Sequence, residues 1–267
     1  MGNLVKSAAQ LWELIQQEAR EEMIAEPMLA SFYHSSVINH STIKSALSFL
    51  LALKLSDDVM SPVLLREILE HAMRADPQML ESACLDILAV KNRDPAADRT
   101  LNVLLYLKGF QALQAHRVAH WMWQNNRKSM ALYIQHRVSI MFQVDIHPAA
   151  KIGSGVMFDH ATGIVIGETC VIENDVSILQ GVTLGGTGNE SGDRHPKVRE
   201  GVMIGAGAKI FGNLEIGRCA KVGGGSVVIN DVPACTTVVG VPAKVVGDSG
   251  CDKPALNMDQ KFNSTKA

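Results

Sequence analysis

Aromatic residues make up only 5% of this 267-residue chain, and neither sign of charge dominates: 25 Lys and Arg stand against 27 Asp and Glu. Basic runs and basic–aromatic interleaving are both missing, which argues against a nucleic-acid partner. Long hydrophobic runs are missing too. The apolar stretch from Ala46 to Leu55 falls far short of the roughly 20 residues a membrane-spanning helix needs, so no membrane association is expected. The opening Met1-Gly-Asn-Leu-Val-Lys lacks the basic-then-apolar shape of a secretory signal, and a cytoplasmic protein is expected. The five cysteines, at 84, 170, 219, 235 and 251, are an odd set without a C-x-x-C pair. That pattern argues against a disulfide framework and against a zinc site, so reduced thiols and no metal are expected.

A six-residue repeat begins near residue 146. Large aliphatics recur at Ile166, Ile172, Ile178 and Leu184, and a second inward candidate follows the first three at Cys170, Val176 and Val182. Such a period reads as a hexapeptide parallel β-helix, with three flat faces per coil of about 18 residues. Each coil buries its aliphatics against the coil below, and no coil folds alone. The repeat breaks twice. Ile146, Ile152 and Phe158 share one phase, which slips by two residues around Thr162-Gly-Ile164. After Leu184 the period resumes only at Val198, so eight extra residues leave the solenoid within Gly185–Lys197. A projecting loop on a rigid scaffold is a favoured place for binding groups.

The chain before about position 140 shows helical spacing instead, as in Leu11, Leu14 and Ile15 or Leu64, Leu65, Ile68 and Leu69. Glu26-Pro27, Ser61-Pro62 and Asp76-Pro77 mark helix starts, where proline gives up an N–H that lacks a partner anyway. Longer helices are expected over 100–126 and 129–144. Trp121, Trp123, Tyr133, His116, His120 and His136 read as core or subunit-contact residues. The expected division is an α-helical oligomerisation domain (1–143), a β-helix catalytic domain (144–247) and a flexible C-terminal tail (248–267), an α+β fold.

Within the repeat, polar residues stand out where a solenoid needs none. Asp159 and His160 follow the inward Phe158, and Asp145 precedes His160 by a span close to one coil's length. A carboxylate on one ring nitrogen supports the cation formed when the other takes a proton, which makes a His–Asp general base. The alternative is that Asp145 caps a turn and His160 is a solvated corner residue. Arg194 and His195 in the inserted loop offer a cation and a second imidazole, or Arg194 simply pairs with Asp193.

The segments Asp145-Ile-His-Pro-Ala-Ala-Lys-Ile-Gly, Met157-Phe-Asp-His-Ala-Thr-Gly-Ile-Val-Ile-Gly-Glu, Leu179-Gln-Gly-Val-Thr-Leu-Gly-Gly-Thr and Gly192-Asp-Arg-His-Pro-Lys resemble the bacterial serine O-acetyltransferase family. The likeness extends through Glu26-Pro-Met-Leu-Ala, Asn92-Arg-Asp-Pro-Ala and Gly240-Val-Pro-Ala-Lys, nearly the whole chain. It implies a left-handed β-helix, acetyl transfer from acetyl-CoA to L-serine as the first step of cysteine biosynthesis, and feedback inhibition by L-cysteine. It implies His160 with Asp145 as the base, and His195 as a second imidazole near the reacting centre. Arg194 would take the substrate carboxylate, and Asp94 with Asp159 the ammonium.

Small residues that would admit the pantetheine arm cluster at Gly185, Gly186, Gly205, Ala206, Gly223 and Gly224, with Lys221 and Lys244 as phosphate candidates; all of these also suit ordinary solenoid turns. The family resemblance further implies Met258 in a C-terminal regulatory segment, and clefts between neighbouring solenoids of a trimer, two trimers joining through the helical domains. Family members that dock into O-acetylserine sulfhydrylase usually end in isoleucine, whereas this sequence ends Asn263-Ser-Thr-Lys-Ala, which puts that partner in doubt. Three other readings share the scaffold: a hexapeptide acetyltransferase with another acceptor, a γ-type carbonic anhydrase, and a non-catalytic assembly module. The second needs three zinc-binding histidines, and His147, His160 and His195 lack the spacing.

Overall fold

The computed structural model describes residues 7–188, 191–249, 253–258 and 260–261. Cys251 and the ending from Asn263 to Ala267 lie outside them.

The N-terminal half is helical: α1 (Ala8–Ala25), a 3-10 turn (Pro27–Leu29), α2 (Ala30–Tyr33), a π-turn (His34–Ile38), α3 (Ile43–Leu55), α4 (Pro62–Ala75), α5 (Gln78–Arg93), α6 (Thr100–Tyr106), α7 (Lys108–Gln124) and α8 (Lys128–Phe142). Their starts follow local chemistry. Ser7 and Ser61 each accept a hydrogen bond from the backbone N–H three residues on, and Pro62 opens α4. The helix expected over 100–126 is instead two, broken at Leu107, whose backbone is extended. Gln111 explains the break: its side-chain amide donates to Leu104 O and Leu105 O, both at 2.9 Å, taking over carbonyls a continuous helix would have satisfied. Two residues beyond the break, Gly109 packs so tightly on the solenoid that an added Cβ would stand 2.1 Å from Phe158 O.

The rest is a left-handed parallel β-helix of about five turns. Its first face holds β1 (Val144–Ile146), β4 (Ile164–Ile166), β7 (Thr183–Gly185), β10 (Lys209–Phe211) and β13 (Val227–Val228). The second holds β2 (Lys151–Ile152), β5 (Val171–Ile172), β8 (Lys197–Val198) and β11 (Glu215–Ile216). On the third are β3 (Met157–Phe158), β6 (Ser177–Ile178), β9 (Met203–Ile204), β12 (Lys221–Val222) and β14 (Thr236–Gly240), closed by an antiparallel β15 (Ala243–Asp248). The repeat's aliphatics point inward and are buried, as are Cys170, Val176 and Val182.

Strand register measures the two breaks. Ile166 pairs with Leu184 and Ile210 with Val228, each across a regular coil of three hexapeptides. Ile146 pairs with Ile166, a coil longer by two, and Leu184 with Ile210, a coil longer by eight. The two extra residues lie in the corner leading into the first face, at 159–163; the eight lie in the corner trailing it, at 186–196.

One apolar core runs through both halves. Beside it, Arg117 and Asp86 form a buried ion pair at 2.7 Å; Arg117 also donates to Ile152 O and Gly153 O, and Asp86 accepts from Val156 N. Within the segment expected as a flexible tail, the described residues 253–258 are docked. A short α9 (Pro254–Asn257) buries Ala255 against Leu179 and Met203, while Lys253 reaches Asp175 at 2.7 Å and Glu200 at 2.6 Å.

Candidate active site

The leading corner carries Asp159 and His160. His160 and Ala161 have left-handed backbone conformation here, at φ 52° and 63°; at this corner the other coils place glycines, Gly181, Gly207 and Gly225, in that conformation. Non-glycine residues rarely adopt it, and it costs of order 1–3 kcal/mol each. The corner is pinned from beneath by Gly109, whose missing side chain leaves room for Phe158 O and Ala161. His160 is 73% exposed, with its Nε2 3.8 Å from Asp159 Oδ1. Burial raises the Asp159 carboxyl above its usual range; His160 opposes this and the negative charge of Asp94 adds to it. Asp94 ends α5, where Arg93 is sunk into the third face through Ser177 Oγ at 3.1 Å and Asp175 at 3.3 Å. Two carboxylates held together in partial burial make a site for a cation.

The ion pair of His160 is with Asp159 and not with Asp145. The coil at this point is two residues longer than the regular one, so Asp145 stacks under Val165, and its Oδ1 accepts from Gln135 Nε2 at 2.7 Å.

The trailing corner is built around Thr169. Its Oγ1 accepts from Arg194 N at 3.0 Å and His195 N at 3.1 Å and lies 2.9 Å from His195 Nδ1, while Thr169 N donates to the same Nδ1 at 3.2 Å. Nδ1 is therefore an acceptor, which leaves the proton of the neutral ring on Nε2. Burial, then the adjacent Arg194, lowers the His195 pKa, so the ring is neutral at neutral pH and presents Nε2–H. That ring lies over Gly167, where a Cβ would come within 2.1 Å of it. Arg194 does not pair with Asp193: its Nη2 meets Glu168 at 2.7 Å, and Asp193 meets Lys197 at 2.6 Å. Lys197 also donates to Thr169 O and His195 O, which ties the inserted loop to the scaffold. Sequence reading gave no role to Glu168 or Thr169 and weighed His147 only as a zinc ligand; His147 is near enough that Glu168, Asp145 and Arg194 all affect its pKa. The signal available was the coil lengthened by the inserted loop, which sets Glu168 one turn before Arg194.

The expected CoA residues divide. Gly186 lies against Arg194 and His195, and Gly185 against the Phe211 ring. Gly205, Ala206, Gly223 and Gly224 stack at the leading corner, where a Cβ on Gly205 would stand 2.5 Å from Gly224 N. Lys244 is exposed on β15, whereas Lys221 is 4% exposed and donates to Lys261 O of the C-terminal segment. Met258 is half-buried beside Leu179 and Ala206. Among the described residues no group of three His, Cys, Asp or Glu could hold a metal ion.

Asp94, Asp159 and His160 thus share one corner and Arg194 and His195 the other, with a whole face of the prism between them. A family model described as "Serine acetyltransferase, N-terminal" matches residues 11–115. A serine acetyltransferase of Salmonella typhimurium is 60% identical over 253 residues, 95% of this chain and 93% of that protein. Two solved structures, each 58% identical, are a serine acetyltransferase in complex with cysteine (TM-score 0.94, 96% of this chain and 100% of that one) and one in complex with CoA (TM-score 0.87, 90% and 100%).

Proposed function

The chain belongs to the serine acetyltransferase family, and from that premise we propose how its two corners cooperate. The enzyme moves the acetyl group of acetyl-CoA to the hydroxyl of L-serine, giving O-acetyl-L-serine and CoA. An alcohol is a poor nucleophile until its proton is leaving, and a positioned imidazole contributes about 10² to 10⁴ in rate. His160, exposed at its corner, takes the hydroxyl proton and later returns it to the departing thiolate. Asp94 and Asp159 hold the serine ammonium, and Arg194 leaves Glu168 to hold the carboxylate. Each charge-assisted hydrogen bond is worth about 1.5–3 kcal/mol and discriminates against alcohols without the amine. His195 Nε2–H faces the thioester carbonyl, where negative charge develops. Asp145 supports the His160 cation once the exposed ring turns toward the first face. Asp159 is the competing partner, and comparing Asp145→Asn with Asp159→Asn separates the two.

The observation that carries this reading is the split itself. One solenoid cannot bring both corners to one serine, whereas neighbours in a closed ring can, each offering its leading corner to the next chain's trailing corner. A trimer does this, and exposed Ile24, Met28, Val59 and Val63 on the helical half suit the joining of two trimers. The pantetheine arm runs past the stacked glycines of the leading corner. L-cysteine, which differs from L-serine by sulfur for oxygen, uses the same holders, and its binding favours the docked position of the segment bearing Met258. The protein works in the cytoplasm; no helix among the described residues is long and apolar enough to cross a membrane.

Mixing chains carrying His160→Ala with chains carrying His195→Ala, followed by unfolding and reassembly, tests the shared site. Random assortment leaves about a quarter of the sites with both imidazoles intact, so thiol release with acetyl-CoA and L-serine returns to about that fraction of wild type. Mixtures as inactive as their parents would place the whole site in one chain.

A further inference from the structure

Outside the two corners described, the third corner, between the second and third faces, stacks two cysteines. Cys219 and Cys235 both have left-handed backbone, at φ 58° and 57°. Cys219 N donates to Glu200 O and Cys235 N to Arg218 O, each at 2.9 Å. The same offset links Gly201 N to Asn174 O and Asp175 N to Ser154 O, so positions 155, 175, 201, 219 and 235 form one column up the corner. Neighbours in such a column are one rung apart, about 4.8 Å between Cα atoms, within the roughly 4.4–6.8 Å that a disulfide spans. Side chains in the column lean toward the preceding coil: Cys219 Sγ lies 3.1 Å from where a Cβ on Gly201 would be, and Asp175 Oδ1 lies 2.7 Å from one on Gly155. Cys235 Sγ follows, 3.8 Å from Arg218 O, and so leans toward Cys219. Access differs sharply, Cys235 being exposed and Cys219 fully buried. Burial also raises the Cys219 thiol pKa, so it is not the sulfur that meets an oxidant first.

We propose that Cys219 and Cys235 are a redox-modification site that closes to an intrachain disulfide under a hydroperoxide, with Cys235 attacked first and Cys219 resolving it. The Cys235 thiolate attacks one peroxide oxygen, the O–O bond breaks, and a sulfenic acid and water result. Cys219 sulfur then attacks Cys235 sulfur, and hydroxide leaves and takes up the Cys219 proton as a second water. Two thiols and one hydrogen peroxide become one disulfide and two waters.

Closing the bond turns Cys219 Sγ away from Gly201, a space it shares with Lys253. Lys253 is the residue that clasps the C-terminal segment to Asp175 and Glu200. Oxidation therefore reaches that clasp while leaving His160 and His195 untouched.

The test is peptide mapping of the intact assembled protein after limiting hydrogen peroxide, with alkylation under denaturing, non-reducing conditions. The expected product is a linked peptide pair containing Cys219 and Cys235 that dithiothreitol separates, and that Cys235→Ser abolishes. The wild-type map stands without any variant. Cys235 recovered as sulfinic or sulfonic acid with Cys219 still alkylatable, linked instead to Cys251, or joined to another chain, would overturn the proposal.

Discussion

The two corners flanking the first face are both interruptions of one repeat, yet they are held in opposite ways. The leading corner gains two residues and keeps His160 exposed, in left-handed backbone, with its nearest ionic partner 3.8 Å away. The trailing corner gains eight and locks His195 and Arg194 through Thr169, Glu168 and Lys197. A two-residue insertion is too short to fold back on the scaffold, whereas an eight-residue one can fold back and be tied down. On the proposed roles, the base is left free to meet substrate while the His195 donor is fixed beforehand, which is how electrostatic stabilisation avoids reorganisation during reaction.

Removing the loosely held side should cost most: His160→Ala is expected to lower kcat by about 10² to 10⁴ with unfolding behaviour unchanged, because an exposed corner side chain contributes little to the core. Steady-state rates with a thermal melt decide it, and more than about a tenth of the wild-type rate would end the assignment. Next comes the tightly held side. Gly167→Ala puts a Cβ where the His195 ring lies, 2.1 Å away. A displacement of about 1 Å costs up to roughly 10²-fold, and the loss should fall on kcat with His160 chemistry intact. A gentler version is Thr169→Val, which keeps the shape but removes the acceptor for Arg194 N and His195 N. We expect about 1.4 kcal/mol, or roughly tenfold in rate, and a basic-shifted pH profile as His195 Nδ1 loses one of its two donors.

The smallest effect concerns the floor of the trailing corner, where His116 Nε2 donates to Ala150 O at 3.2 Å and His120 Nδ1 to Pro148 O at 2.7 Å. Burial pushes His116 down to about 3, from 6.5 when unfolded. Between those values the unfolded chain binds a proton the folded one refuses. Stability from this group is therefore complete above pH 6.5 and drains as pH falls toward 3, by up to about 1.4 kcal/mol per pH unit. Denaturant melts across that range should show a flatter acid limb for His116→Leu.

Short-range features were legible. The six-residue period named the buried aliphatics, both breaks were located by counting, and Ser61-Pro62 marked the start of α4. Failures came where a residue's neighbour is set by the length of chain between them. The span from Asp145 to His160 was compared with a standard coil, whereas this coil is two residues longer and pairs Asp145 in register with Val165. Arg194 was offered its sequence neighbour Asp193, but Glu168 stands closer through space. The single helix over 100–126 was split by one glutamine side chain reaching back to two carbonyls.

The sequence by itself determined which side chains face inward, that the solenoid is interrupted twice, and, through the long resemblance, the family and its chemistry. Periodicity is a local property, fixed by backbone geometry over a few residues. Only the tertiary structure decided which corner each functional group occupies, which partner orients His195, and that Lys221 is buried. Those depend on how the regular coils stack with the two lengthened ones: the faces stay aligned, but extra residues at a corner change which residues stand over one another.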